Sequence, residues 1–129
     1  QKSSLILLIS STSGLFGVPY RSLYVFAKWG LIGLMKILAI ELGSANVRAN
    51  AICPGAVEGE RMKRVLSIEC DATGRPVADI HQQYTDGVSL RCFIALQYIA
   101  AMALYLASEA GCNVSGQAIS LDRNSERMV

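Results

Sequence analysis

Charge is scarce in this sequence, and so are most of the features that mark a nucleic-acid-binding or metal-binding protein. Of its 129 residues 17% are charged and 52% hydrophobic, and the formal net charge is only +2. Lysine and arginine are scattered without a block, which excludes the basic stripe that a nucleic-acid backbone demands. There is one histidine, His81, with no cysteine close to it, and the four cysteines, Cys53, Cys70, Cys92 and Cys112, lie far apart with no CxxC pair. Neither a zinc site nor a disulfide framework reads from that spacing. No metal is therefore expected, the thiols read as reduced in a cytoplasmic protein, and His81 reads as a surface or lid residue. A secretory signal is also missing, because the apolar stretch near the start is too short for one with the usual flanks. The longest uncharged apolar run, residues 92–107, falls short of the ~20 residues of a bilayer span, so no membrane is expected. The chain does not open on methionine, and its natural N terminus is expected upstream.

What is abundant is apolar sequence in short blocks. SLILLISS, residues 4–11, is a continuous apolar run closing on small polar residues, as in a parallel strand buried on both faces. The loop STSGLFGVPYRS follows, and from Ser22 to Leu42 the apolar residues recur with helical period nearly all round, which predicts a helix covered on more than one side. Gly30 and Gly33 cost about 1 kcal/mol each in a helix interior and predict close packing against another backbone there. Gly43 is the expected stop. VRANAIC, residues 47–53, predicts a second strand, closed by Pro54 and Gly55. Residues 56–89 form a polar, charged insertion, expected as an irregular lid or substrate loop with two short helical stretches near 62–69 and 78–84. A helix over 96–107 and a strand over 117–122 complete the chain. Strand, helix, strand, insertion, helix, strand is an α/β parallel-sheet order with right-handed crossovers.

In such sheets the chemistry collects at the carboxyl ends of the strands. That edge holds Ser10 and Ser11, the Pro54–Gly55 pair, and the start of the long helix with Tyr24 and Lys28. Tyr24 and Lys28 are four residues apart, so they share a helical face. A fixed cation near a phenol stabilises the phenolate and makes tyrosine a usable acid/base near neutral pH. A neighbouring serine hydroxyl can hold a substrate oxygen. This equipment moves a proton on or off an alcohol or carbonyl, and the hydride needs a nicotinamide cofactor. YxxxK alone arises by chance in roughly one chain of this size in four; the ordered set of motifs is far rarer.

That set, ISSTSG, YVFAK with Ser11 thirteen residues before Tyr24, LAIELG, VRANAICPG and LYLASEAGCNVSGQAISLD, resembles the C-terminal half of a short-chain dehydrogenase/reductase, over residues 4–122. The resemblance implies one partial Rossmann-type domain over residues 1–129. This is the second half of a doubly wound parallel sheet, with three strands and helices on both faces. It implies Ser11, Tyr24 and Lys28 as catalytic residues. Tyr24, Lys28, Pro54, Gly55, Ala56 and Val57 are implied as contacts to NAD or NADP, the last four with backbone groups on the carboxamide. The implied substrate is a small alcohol or carbonyl compound, and the long helix is implied as a subunit contact in a homo-oligomer.

The sequence also departs from the family. No glycine-rich phosphate loop is present, so the dinucleotide's pyrophosphate lacks its helix N-terminus. The missing N-terminal half of the fold is the expected partner, and the 129 residues alone are expected to be inactive. Gly59 stands where a threonine is usual, the last helix opens on Ala95 without a capping residue, and Asp122 is followed by Arg123 and Asn124 instead of two glycines. These losses keep open the alternative of a non-catalytic remnant or interaction module of the same fold. The tyrosine–lysine pair is equally kept by a non-redox relative such as an epimerase or dehydratase, which the Pro–Gly segment and short strand spacing disfavour.

Overall fold

The computed structural model describes residues 3–125. Three strands, β1 (Ser4–Ile9), β2 (Val47–Pro54) and β3 (Ala118–Leu121), form a parallel sheet in the order β1-β2-β3. Ile52 lies at the centre, opposite Ile9 on one side and Ile119 on the other. The helix α1 (Ser22–Leu42) connects β1 to β2. Three more helices follow β2: α2 (Glu60–Thr73), α3 (Val77–Asp86) and α4 (Leu96–Ala107).

Alternation along the strands divides the core between two faces. On one face Ile32 and Met35 of α1 pack with Ala49, Ala51 and Cys53 of β2, and Ile6 and Leu8 of β1 join them. On the other face Arg48 and Asn50 reach the turn after α4. Arg48 donates to the Gly111 and Val114 carbonyls at 2.8 and 3.3 Å, and Asn50 to the Val114 carbonyl at 2.8 Å. Both side chains are buried, and these acceptors satisfy groups that would otherwise be costly to bury. Helices thus cover both faces of the sheet, as the sequence implied.

β2 is buried almost throughout, whereas β1 is only half-buried although it is the more apolar strand. The reason is topological: among the described residues β1 pairs with β2 alone, so its other edge is open. An apolar, unpaired edge is a template for another strand.

Several local expectations need correction. β1 stops at Ile9 rather than residue 11, because Ser11 caps a 3-10 turn over Thr12–Gly14. Gly43 follows the last residue of α1 as expected, but it is right-handed rather than left-handed and leads into a second 3-10 turn, and the chain reverses at Asn46, whose φ is 61°. Gly30 and Gly33 have nothing within 4 Å of an added Cβ, so among the described residues no other backbone packs against them. They lie on an exposed face with Leu23, Phe26, Leu34, Ile37 and Ile40. By length and composition alone α1 is also long and apolar enough to cross a membrane. It nevertheless lies along the sheet, as a crossover between adjacent parallel strands must. The insertion is more regular than expected, with two helices of 14 and 10 residues packed on each other. His81 is exposed there, its ring 4.6 Å from that of Phe93.

Candidate active site

Every residue singled out from the sequence for catalysis or cofactor contact lines one cavity of about 410 Å³ at the carboxyl edge of the sheet. Ser11, Tyr24 and Lys28 meet there with Pro54, Gly55, Ala56 and Val57. β1 brings Ser10 and Ser11 to the edge, the first two turns of α1 bring Tyr24 and Lys28, and the end of β2 brings the proline segment.

The two serines have different tasks. Ser10 is buried, and its hydroxyl donates to the Lys28 carbonyl at 2.8 Å, fastening the strand end to the helix. Ser11 caps the following turn, its Oγ accepting from the Ser13 N–H at 3.1 Å. Accepting there leaves the Ser11 hydroxyl proton available to donate into the cavity. Gly14 makes the junction possible. An added Cβ would lie 2.6 Å from Ser10 Oγ and 2.9 Å from the Lys28 carbonyl oxygen.

Lys28 Nζ donates to the Ile9 carbonyl at 3.1 Å and stands 5.6 Å from the centroid of the Tyr24 ring. The ammonium is thus held between the strand end and the tyrosine. Arg61, in the first turn of α2, approaches the same ring, with Cζ 5.9 Å from its centroid.

After β2, the Gly55 N–H donates to the Leu121 carbonyl at 2.9 Å, prolonging the ladder with β3. Val57 then forms a parallel bridge with Ile94: the Ala56 carbonyl accepts from the Ile94 N–H and the Glu58 N–H donates to the Ile94 carbonyl, both at 2.9 Å. In a parallel bridge of this kind the bonded groups belong to the flanking residues. The N–H and C=O of Val57 itself turn to the other side, and Val57 lines the cavity. Gly59, in place of the usual threonine, has φ 139° and ψ −176°, a conformation almost confined to glycine. The tail after β3 shows a similar effect: Arg123 and Asn124 have φ of 56° and 62°. The left-handed turn persists although its residues are not glycine.

Burial pushes two groups near the cavity upward. The Cys53 thiol on β2 is raised above its ordinary range by desolvation, and so is the Tyr84 phenol, with Glu69 adding to the effect. Two cavity residues escaped the sequence reading. Arg21 was legible in principle, since it stands three residues before Tyr24. Arg61 lies in the stretch expected as a lid, and only the fold turns it onto the tyrosine.

Comparison with known proteins agrees with this geometry. The family model described as enoyl-(acyl carrier protein) reductase matches residues 1–123. D-beta-hydroxybutyrate dehydrogenase of Rhizobium meliloti is 32% identical over 91% of this chain and 46% of its own length. A 3-oxoacyl-(acyl-carrier-protein) reductase of Chlamydia trachomatis is 34% identical over 94% of this chain and 44% of its own. Among solved structures, an actinorhodin polyketide ketoreductase variant with NADPH superposes with a TM-score of 0.90 at 26% identity, covering 98% of this chain and 48% of that one. The chain therefore spans about half the length of the curated relatives it matches. Its parallel sheet, its serine–tyrosine–lysine cavity and its match along nearly the whole sequence place it in the short-chain dehydrogenase/reductase family.

Proposed function

We propose that this chain is the catalytic half of an NAD(P)-dependent oxidoreductase of the alcohol dehydrogenase or carbonyl reductase type. The observation that carries the reading is the convergence of Ser11, Tyr24 and Lys28 with the Pro54–Val57 segment on one cavity. The substrate is a small alcohol or carbonyl compound, and the site needs the N-terminal half of the fold to hold the rest of the dinucleotide.

The residues fit the nicotinamide end of such a cofactor. The Val57 N–H and C=O offer a donor and an acceptor side by side, matching a carboxamide. The Lys28 ammonium has donors left for ribose hydroxyls after its bond to Ile9. When bound, the nicotinamide supplies or accepts the hydride. The chain's own residues handle the oxygen. Ser11 donates a hydrogen bond to the substrate carbonyl and fixes its orientation. As the carbonyl carbon gains the hydride, the C=O electron pair moves to oxygen, which takes the phenol proton of Tyr24. The Lys28 cation stabilises the charge left on the tyrosine oxygen. Oxidation of the alcohol is the reverse.

The open β1 edge is where the first half of the fold adds its strand. The exposed apolar face of α1, with Phe26 79% and Ile40 78% accessible, is where a second subunit packs. One rival reading is a remnant that keeps these two surfaces and has no catalysis. The residues upstream of Gln1 discriminate: a glycine-rich loop after a strand supports the enzyme, and its absence supports the remnant. In the protein assembled with its N-terminal half, Tyr24→Phe lowers turnover by about 10²–10⁴-fold, the usual weight of a positioned acid/base, with cofactor affinity little changed. Full nicotinamide turnover in that variant removes Tyr24 from the role.

A further inference from the structure

Two guanidinium groups outside the serine–tyrosine–lysine set line the same cavity. Arg21 stands immediately before α1, and Arg61 leans on the Tyr24 ring from α2. Arg21 also lies against the Tyr84 hydroxyl, and that hydroxyl donates to Glu69 Oε2 at 3.2 Å. Tyr84 of α3 and Glu69 of α2 thus stand beside Arg21 at the cavity. Two carboxylates line the cavity as well, Glu58 and Glu60, but Glu60 is paired with Lys63 at 2.9 Å. Among the described residues neither Arg21 nor Arg61 forms an ion pair. Much of the remaining lining is apolar, from Ile9, Met62, Val65, Val88, Leu96 and Ile99.

A neutral alcohol bound at Tyr24 would leave both guanidiniums, which are exposed, to water alone. A carboxylate or phosphate would meet them with charge-assisted, fork-shaped hydrogen bonds, the geometry in which arginine surpasses lysine. We propose that the site selects a small hydroxy or oxo compound carrying an anionic group a few bonds from the reacting carbon, and that Arg21 and Arg61 hold that group. The proposal rests on the oxidoreductase reading and narrows its substrate class.

The test uses matched probes on the protein assembled with its N-terminal half: acetoacetate against acetoacetamide, and dihydroxyacetone phosphate against dihydroxyacetone. The first pair asks about a carboxylate, the second about a phosphate. The expected result is that kcat/KM for at least one anionic probe exceeds that of its neutral partner by tenfold or more. Arg21→Gln and Arg61→Gln each reduce that ratio about tenfold, through KM rather than kcat, and Arg21→Lys, which keeps the charge but loses the fork, retains only part of it. Arg61 is exposed, so Arg61→Gln keeps the test valid if the Arg21 variant fails to fold. Protection against heat by each probe, in the presence of oxidised cofactor, gives a readout without turnover. Selective protection by an anionic probe without any turnover upholds the anion site and overturns the redox reading. Equal or better use of the neutral partners overturns the anion site and leaves the redox reading standing. Arginine variants that keep the ratio, or no response to any probe, also overturn the proposal.

Discussion

A single methyl group at Gly14 tests whether the strand end and the helix are joined as described. In Gly14→Ala the new Cβ meets Ser10 Oγ at 2.6 Å, the Lys28 carbonyl oxygen at 2.9 Å and Ile32 Cδ1 at 3.0 Å. Ile32 can rotate slightly, and Ser10 can swing away only by giving up its 2.8 Å bond to Lys28. The Lys28 carbonyl is backbone in the second turn of α1 and has no cheap escape. Overpacking of this kind costs about 1–3 kcal/mol, and the lost hydrogen bond adds about 1 kcal/mol, so the expected destabilisation is about 2–4 kcal/mol. The same shift separates Ser11 from Tyr24 and Lys28, and misplacement by about 1 Å costs on the order of 10²-fold in rate. Urea denaturation and kcat/KM of the assembled protein read the two effects. Ser10→Ala removes one of the three clashes along with the bond, so the double variant should be less damaged than the sum of the singles, by about 1 kcal/mol. A Gly14→Ala protein within about 0.5 kcal/mol of the parent and with full turnover would refute the junction.

The tail and the helix ends offer further checks. Arg123 sits at φ 56° with its Nε buried and lacking a hydrogen-bond partner among the described residues, though its guanidinium stacks 6.0 Å from the Tyr98 centroid. Left-handed strain of roughly 1–2 kcal/mol outweighs a cation–π contact on the exposed Tyr98 ring of roughly 0.5–1 kcal/mol, so Arg123→Gly should raise the denaturation midpoint; a marked fall would show that the stack dominates. Ala95 precedes α4 in the extended conformation of a cap but makes no side-chain bond, and Ala95→Asp should stabilise the protein by about 1 kcal/mol in the same assay. An unchanged midpoint would mean that the first-turn N–H groups of α4 are already satisfied. The buried Cys53 thiol has a raised pKa in the folded state, so its contribution is intact below the unfolded thiol pKa and is lost as pH rises through the folded value. The parent should therefore lose more stability than Cys53→Ala between about pH 8 and pH 10, and parallel curves would contradict the burial of that thiol.

Much of this protein was settled by sequence alone. The order and kind of the elements followed from local signals: uninterrupted apolar runs for β1 and β2, a helical period through α1, and small or turn-forming residues between them. Tyr24 and Lys28 were legible as a pair because a helix places residues four apart on one face whatever surrounds it. Tertiary structure decided what depends on segments meeting from afar. It assigned Ser10 to the junction and Ser11 to the cavity, because which hydroxyl is engaged depends on the approach of α1. It turned Gly30 and Gly33 outward and left them uncovered, since helical period names a face but not its neighbour. It brought Arg61 onto the Tyr24 ring, because the direction of α2 depends on the bridge between Val57 and Ile94, two segments far apart in the chain. And it held Arg123 and Asn124 in a glycine-like turn, because the Asp122 Oδ1 bond to the Asn124 N–H and the contacts of Ser89 and Leu90 with the two carbonyls fix that backbone regardless of the side chains it carries.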